Sequence, residues 1–85
     1  MEFKIYPNPA SEHITLSFNT ETQEKMVLIL ININGQVVLE KTLINLSQGE
    51  NKVELNVSGL VNGMYNCRLM NNNNGKASLK FVVAH

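Results

Sequence analysis

The 85-residue chain contains no tryptophan, no aspartate and a single cysteine, Cys67. One cysteine forbids an internal disulfide, so a disulfide-stapled secreted mini-protein is excluded. The chain must hold together by packing and strand pairing. The acids are Glu2, Glu12, Glu21, Glu24, Glu40, Glu50 and Glu54, scattered over different elements, and they offer no paired-carboxylate arrangement for a hydrolase. His13 and His85 are the only imidazoles. His13 falls on the outward face of its predicted strand, and His85, at the last position, is expected to be frayed. One cysteine and two distant histidines do not make a zinc site. Neither sign of charge prevails, with seven basic and seven acidic residues, so no field favours nucleic acid or an anionic membrane surface. No run approaches the roughly 20 apolar residues that span a bilayer. Met1-Glu2 followed by Pro7 is not a signal peptide, so an exported domain would take that address from elsewhere in a longer precursor.

What is present is a hydrophobic fraction of 44 %, enough for the core of one small domain over residues 1–85. The apolar residues recur with period two, the period of a β-strand. Strands are predicted over 2–6, 12–18, 26–33, 36–44, 52–57, 64–70 and 77–83. In the second, Ile14, Leu16 and Phe18 face one way and His13, Thr15 and Ser17 the other. Residues 26–33 form the most apolar stretch and read as a strand covered on both faces. Asn34-Gly35 then suits a tight type I′ turn. Val37, Val38, Leu39, Leu43 and Ile44 break simple alternation, which predicts a bulge or slipped register near 40–42. The connections fall at Tyr6-Pro7-Asn8-Pro9, Asn19–Lys25, Ser47–Asn51, Ser58–Gly63 and Asn71–Gly75. In the last strand Ala77, Leu79, Phe81 and Val83 share one side, and Ser78, Lys80 and Val82 the other. Seven short strands separated by turn chemistry, with no helix, predict an all-β fold. The expected form is a seven-stranded antiparallel β-sandwich similar to immunoglobulin or fibronectin type III domains. An antiparallel barrel is the lesser alternative.

No group of residues converges on catalysis, and the chain is read as a non-enzyme without cofactor, metal or small-molecule substrate. Cys67 alternates with Tyr65 and Leu69, which places it in the core as a small apolar residue. Tyr65 reads as an inward ring whose hydroxyl reaches the surface or a backbone partner. Gly59 and Gly63 flank a corner and do not make a phosphate loop. The sequons Asn45-Leu46-Ser47 and Asn56-Val57-Ser58 read as coincidence in so asparagine-rich a chain.

Several motifs, taken in order, carry more than any one residue. Ile5-Tyr6-Pro7-Asn8-Pro9-Ala10 resembles the start of the type A C-terminal sorting domain of the type IX (Por) secretion system of Bacteroidetes. Glu12–Leu16 resembles that family's second strand, and Ile33-Asn34-Gly35-Gln36-Val37-Val38 its central hairpin. Leu55–Leu60 followed by Asn62-Gly63-Met64-Tyr65 resembles its L-x-x-L-x-x-G-x-Y block, and Lys80-Phe81-Val82-Val83 its closing Lys-Phe-Val. Val61 stands where the family often has proline, and Val83-Ala84-His85 where a basic residue commonly ends it.

The resemblance implies a domain fused to an exported cargo. Its partners would be the type IX outer-membrane components and a cell-surface sortase. The route would run through the periplasm to the cell surface or beyond. The last strand is the expected recognition element, because a terminal strand at a sheet edge keeps unpaired backbone groups. Gly63, Tyr65, Ser78, Lys80, Phe81, Val82 and Val83 are the candidate recognition residues. Tyr6, Pro7, Asn8, Pro9, Asn34 and Gly35 are expected to shape the fold, the prolines stiffening the approach from the cargo. A passive spacer or adhesion module is the alternative role. An apolar last strand and zero net charge would also allow an edge-strand homodimer.

Overall fold

Two-residue alternation gives each strand one apolar face, and seven such faces close on one another here. The computed structural model describes residues 3–20, 25–71 and 76–85. The strands are β1 (Phe3–Tyr6), β2 (His13–Thr20), β3 (Met26–Asn32), β4 (Val37–Leu43), β5 (Gly49–Asn56), β6 (Gly63–Asn71) and β7 (Lys76–Val83). No helix occurs among the described residues. A three-stranded sheet, β1-β2-β5, faces a four-stranded sheet, β4-β3-β6-β7, and every pairing between these strands is antiparallel. The predicted sandwich is therefore observed, in an order compatible with an immunoglobulin- or fibronectin-like arrangement.

The core lies between the sheets. Ile14, Leu16 and Phe18 of β2 and Leu55 of β5 meet Met26, Leu28 and Leu30 of β3 and Tyr65, Cys67 and Leu69 of β6, all buried. Among the described residues no charged side chain is buried with them. The outer face of the three-stranded sheet is polar, with Thr15, Ser17 and Asn19 paired to Glu54, Lys52 and Glu50.

The local details differ from expectation in four places. First, β3 is buried on one face only. Val27, Ile29 and Ile31 are half-buried, shielded by lateral neighbours such as Met70 and Arg68 rather than by another layer. Second, the Asn34-Gly35 turn is not type I′. The Gly35 N–H donates to the Asn32 carbonyl at 3.0 Å, and only Gly35 has positive φ, at 82°. The result is a three-residue loop, residues 33–35, closed by a left-handed glycine. Asn32 selects it by accepting from the N–H groups of Asn34 and Gln36 through Oδ1, at 2.9 and 3.0 Å.

Third, the bulge lies earlier than 40–42. Ile31 pairs with Val37 and Leu30 with Leu39, leaving Val38 as the extra residue. Alternation is then restored, so Leu39 and Leu43 return to the core side. Fourth, the predicted turn at 47–51 gives way to β5 from Gly49 onward. Asn51 reaches back across the preceding turn, accepting from the Ser47 N–H at 2.9 Å and donating to the Ser47 carbonyl at 2.8 Å. β2 likewise runs on to Thr20. Glu2, and residues 21–24 and 72–75 of the two predicted loops, lie outside the described residues.

Candidate functional site

β7 is an edge strand, paired with β6 on one side. Its register is continuous from Gly63 opposite Val83 to Met70 opposite Lys76. In an antiparallel strand, successive residues turn their backbone N–H and C=O to opposite sides. Val82 fixes the phase: its N–H donates to Asn8 Oδ1 at 3.0 Å, and its carbonyl accepts from the Ala10 N–H at 2.8 Å. The Ala84 N–H then donates to the Ala10 carbonyl at 2.8 Å. Even-numbered residues of β7 therefore turn their backbone groups away from β6.

This divides the strand. At its end, the segment after β1 clasps Val82 to Ala84. Pro7 and Pro9 have no N–H to offer, so the Asn8 side chain and the Ala10 backbone make the pairing instead. Over 76–80 no such neighbour is present among the described residues, and the backbone groups of Ser78 and Lys80 face the open edge. The side chains of Ser78 and Lys80 are exposed on the outer face, and Val82 is half-buried. On the core side Phe81 and Val83 are each 1 % exposed, against 37 % for Leu79 on the open part.

The corner before β6 braces the same end. Gly63 has φ of 154°, a backbone state that favours glycine, although a Cβ there would meet nothing within 4 Å. The Tyr65 hydroxyl donates to the Val61 carbonyl at 2.6 Å, and its ring stacks on Phe81 with centroids 5.8 Å apart. A tyrosine at the start of a strand, bonded to backbone a few residues upstream, is the tyrosine corner of β-sandwiches. His85 is not frayed. Its N–H donates to Asn62 Oδ1 at 2.9 Å, and its Nε2 lies 2.7 Å from the Leu60 carbonyl.

The structure thus joins the Pro7-Asn8-Pro9 segment, through Asn8 and Ala10, to Val82, Val83 and Ala84, with Gly63 opposite Val83 and Tyr65 opposite Phe81 on β6. Tyr6 is exposed and pairs with Thr15. Asn34 and Gly35 shape the β3–β4 hairpin, away from the clasp. Ala10, Leu60 and Asn62 also belong to this end; the sequence motifs included them without giving any of them a role. The available signal was Asn8 itself, a lone hydrogen-bonding side chain between two residues without a donor.

Cys67 is wholly buried, and desolvation pushes its thiol up to about 12 from an ordinary 9.0, so it stays protonated at neutral pH. In the second sequon, Asn56 Oδ1 is taken up by the N–H and hydroxyl of Ser58. Asn66 Oδ1, opposite Lys80 on the outer face, is buried without a partner.

The model of the secretion system C-terminal sorting domain matches residues 4–84, nearly the whole chain. The chain belongs to this family. No curated protein matches the sequence. The match bears out the likeness to the type IX sorting domain, and the two ends of that likeness are the segments that meet at the clasp. A type IX sorting domain works with the secretion machinery on a cargo upstream, which is exported to the cell surface or the extracellular space.

Proposed function

We propose that the type IX outer-membrane machinery recognises this sorting domain as a folded sandwich, through the open part of β7. Ser78 and Lys80 present free backbone groups and side chains there, so a partner strand can add to the sheet and read them. Phe81, Val82, Val83, Gly63 and Tyr65 act indirectly, by holding the end of β7 in place. The domain reaches the machinery from the periplasm and catalyses nothing itself. A cell-surface sortase then removes it and attaches the cargo to its anchor. The observation that carries this reading is the division of β7: one end is tied down, and over 76–80 the outer edge has no strand partner among the described residues.

The test fuses residues 1–85 to a neutral reporter bearing a Sec signal, in a type IX-competent bacterium. Ser78→Pro and Lys80→Pro each remove one outward N–H and leave the β6 ladder intact, a position where an edge strand tolerates proline. Export of the parent fusion, with periplasmic retention of both variants, is the expected result. Thermal melts of the purified variants separate lost recognition from lost folding. Normal export of either folded variant would defeat the proposal and favour a passive spacer.

A further inference from the structure

We infer that the partner strand at β7 is acidic and alternates carboxylates with apolar residues; this rests on the edge-recognition reading above. The positive charge is concentrated at this edge. Arg68, Lys76 and Lys80 are exposed or edge-lying residues of β6 and β7, in a register that sets Arg68 opposite Ser78 and Asn66 opposite Lys80. Neither strand carries an acid, and β1, which packs against β7, carries Lys4 and no acid among its described residues. On the same sheet the described acid is Glu40, on β4 at the opposite edge. The one ion pair among the described residues joins Lys52 to Glu50, on the other sheet. Among the described residues, this edge therefore carries cations and neither of its strands carries an acid.

The other side of the strand supplies the alternation. Leu79 remains 37 % exposed and Ala77 half-buried on the core side, whereas Phe81 is sealed where the clasp covers it. An added strand would lay one set of side chains beside Lys76, Ser78 and Lys80 and the other over Ala77 and Leu79. The clasp limits the added strand to the span of 76–80, about 17 Å at 3.4 Å per residue. A second copy of this chain fits poorly. Antiparallel pairing of two β7 edges about Ser78 sets Lys76 against Lys80 of the second copy, and like charges directly opposite are destabilising.

The experiment titrates isotope-labelled residues 1–85 with blocked seven-residue peptides, one alternating glutamate and valine, the other lysine and valine. The glutamate peptide is expected to shift the amide signals of Ser78 and Lys80 and slow their hydrogen exchange. The Lys76→Glu, Lys80→Glu double variant should weaken that binding by roughly tenfold, as two partly exposed charge pairs allow. Raising the salt should weaken it as well. Equal binding of the lysine peptide, no binding of the glutamate peptide, or binding that leaves both amides unprotected would overturn the inference. Export of the reporter distinguishes this failure from that of the parent reading. If the Lys76→Glu, Lys80→Glu variant is secreted normally and Ser78→Pro is not, edge recognition stands and the acidic partner falls.

Discussion

The two parts of β7 share one strand and one neighbour, β6, yet they live in different surroundings. Beyond Lys80 the strand has partners on both edges, and its inward Phe81 and Val83 are sealed. Before Phe81 its outer edge has no partner among the described residues, and Leu79 meets solvent. Four residues of distant sequence, from Pro7 through the Ala10 bridge, make the difference. The lesson is that an edge strand can be fixed at one end without being closed, which keeps a short pairing surface in a defined orientation.

The strongest way to break the contrast is to empty the sealed part. Phe81→Ala removes a buried ring stacked on Tyr65 and should cost about 3–5 kcal/mol in urea unfolding. Leu79→Ala, two residues away, should cost about 1 kcal/mol, because its side chain is already part-exposed. Comparable losses would mean the two parts are not distinct.

Cys67 lies opposite Leu79 and probes how far the dry interior extends under the open part. Its raised thiol favours the folded state below pH 9.0. That contribution fades as pH climbs from 9.0 towards about 12, because only the unfolded chain readily forms the thiolate. Stability should therefore fall over that window, and Cys67→Ala should flatten the fall. In native protein at pH 8, alkylation of Cys67 should be far slower than in urea.

Smaller effects sharpen the boundary. Tyr65→Phe loses the bond to the Val61 carbonyl and should cost about 1 kcal/mol. Asn8→Ala should cost about 0.5–1 kcal/mol, and it should raise exchange at the Val82 amide towards that of Ser78 and Lys80. Lys80→Ala should leave stability within about 0.5 kcal/mol, as an exposed substitution does.

The strands and inward faces were legible because Ile14, Leu16 and Phe18, or Tyr65, Cys67 and Leu69, repeat at the period of the strand itself. The inward Tyr65 with a tethered hydroxyl was legible for the same reason. The bulge was not: moving the extra residue from 40–42 to Val38 preserves nearly the same apolar count, and pairing with β3 decides between them. The hairpin turned on Asn32, whose amide acts from outside the Asn-Gly pair that drew attention. The open edge of β7 followed from its place in the chain, but the clasp did not. The contact of Asn8 with Val82 spans 74 residues and uses an ordinary turn residue. The hold on His85 depends on a corner whose shape no local pattern announces.

The clasp has a consequence for timing. It joins residues 8–10 to residues 82–84, so the fixed end of β7 forms only once both segments have been synthesised and folded together. On the proposed reading, a sorting domain cut short before residue 82 would present its edge without that fixed end.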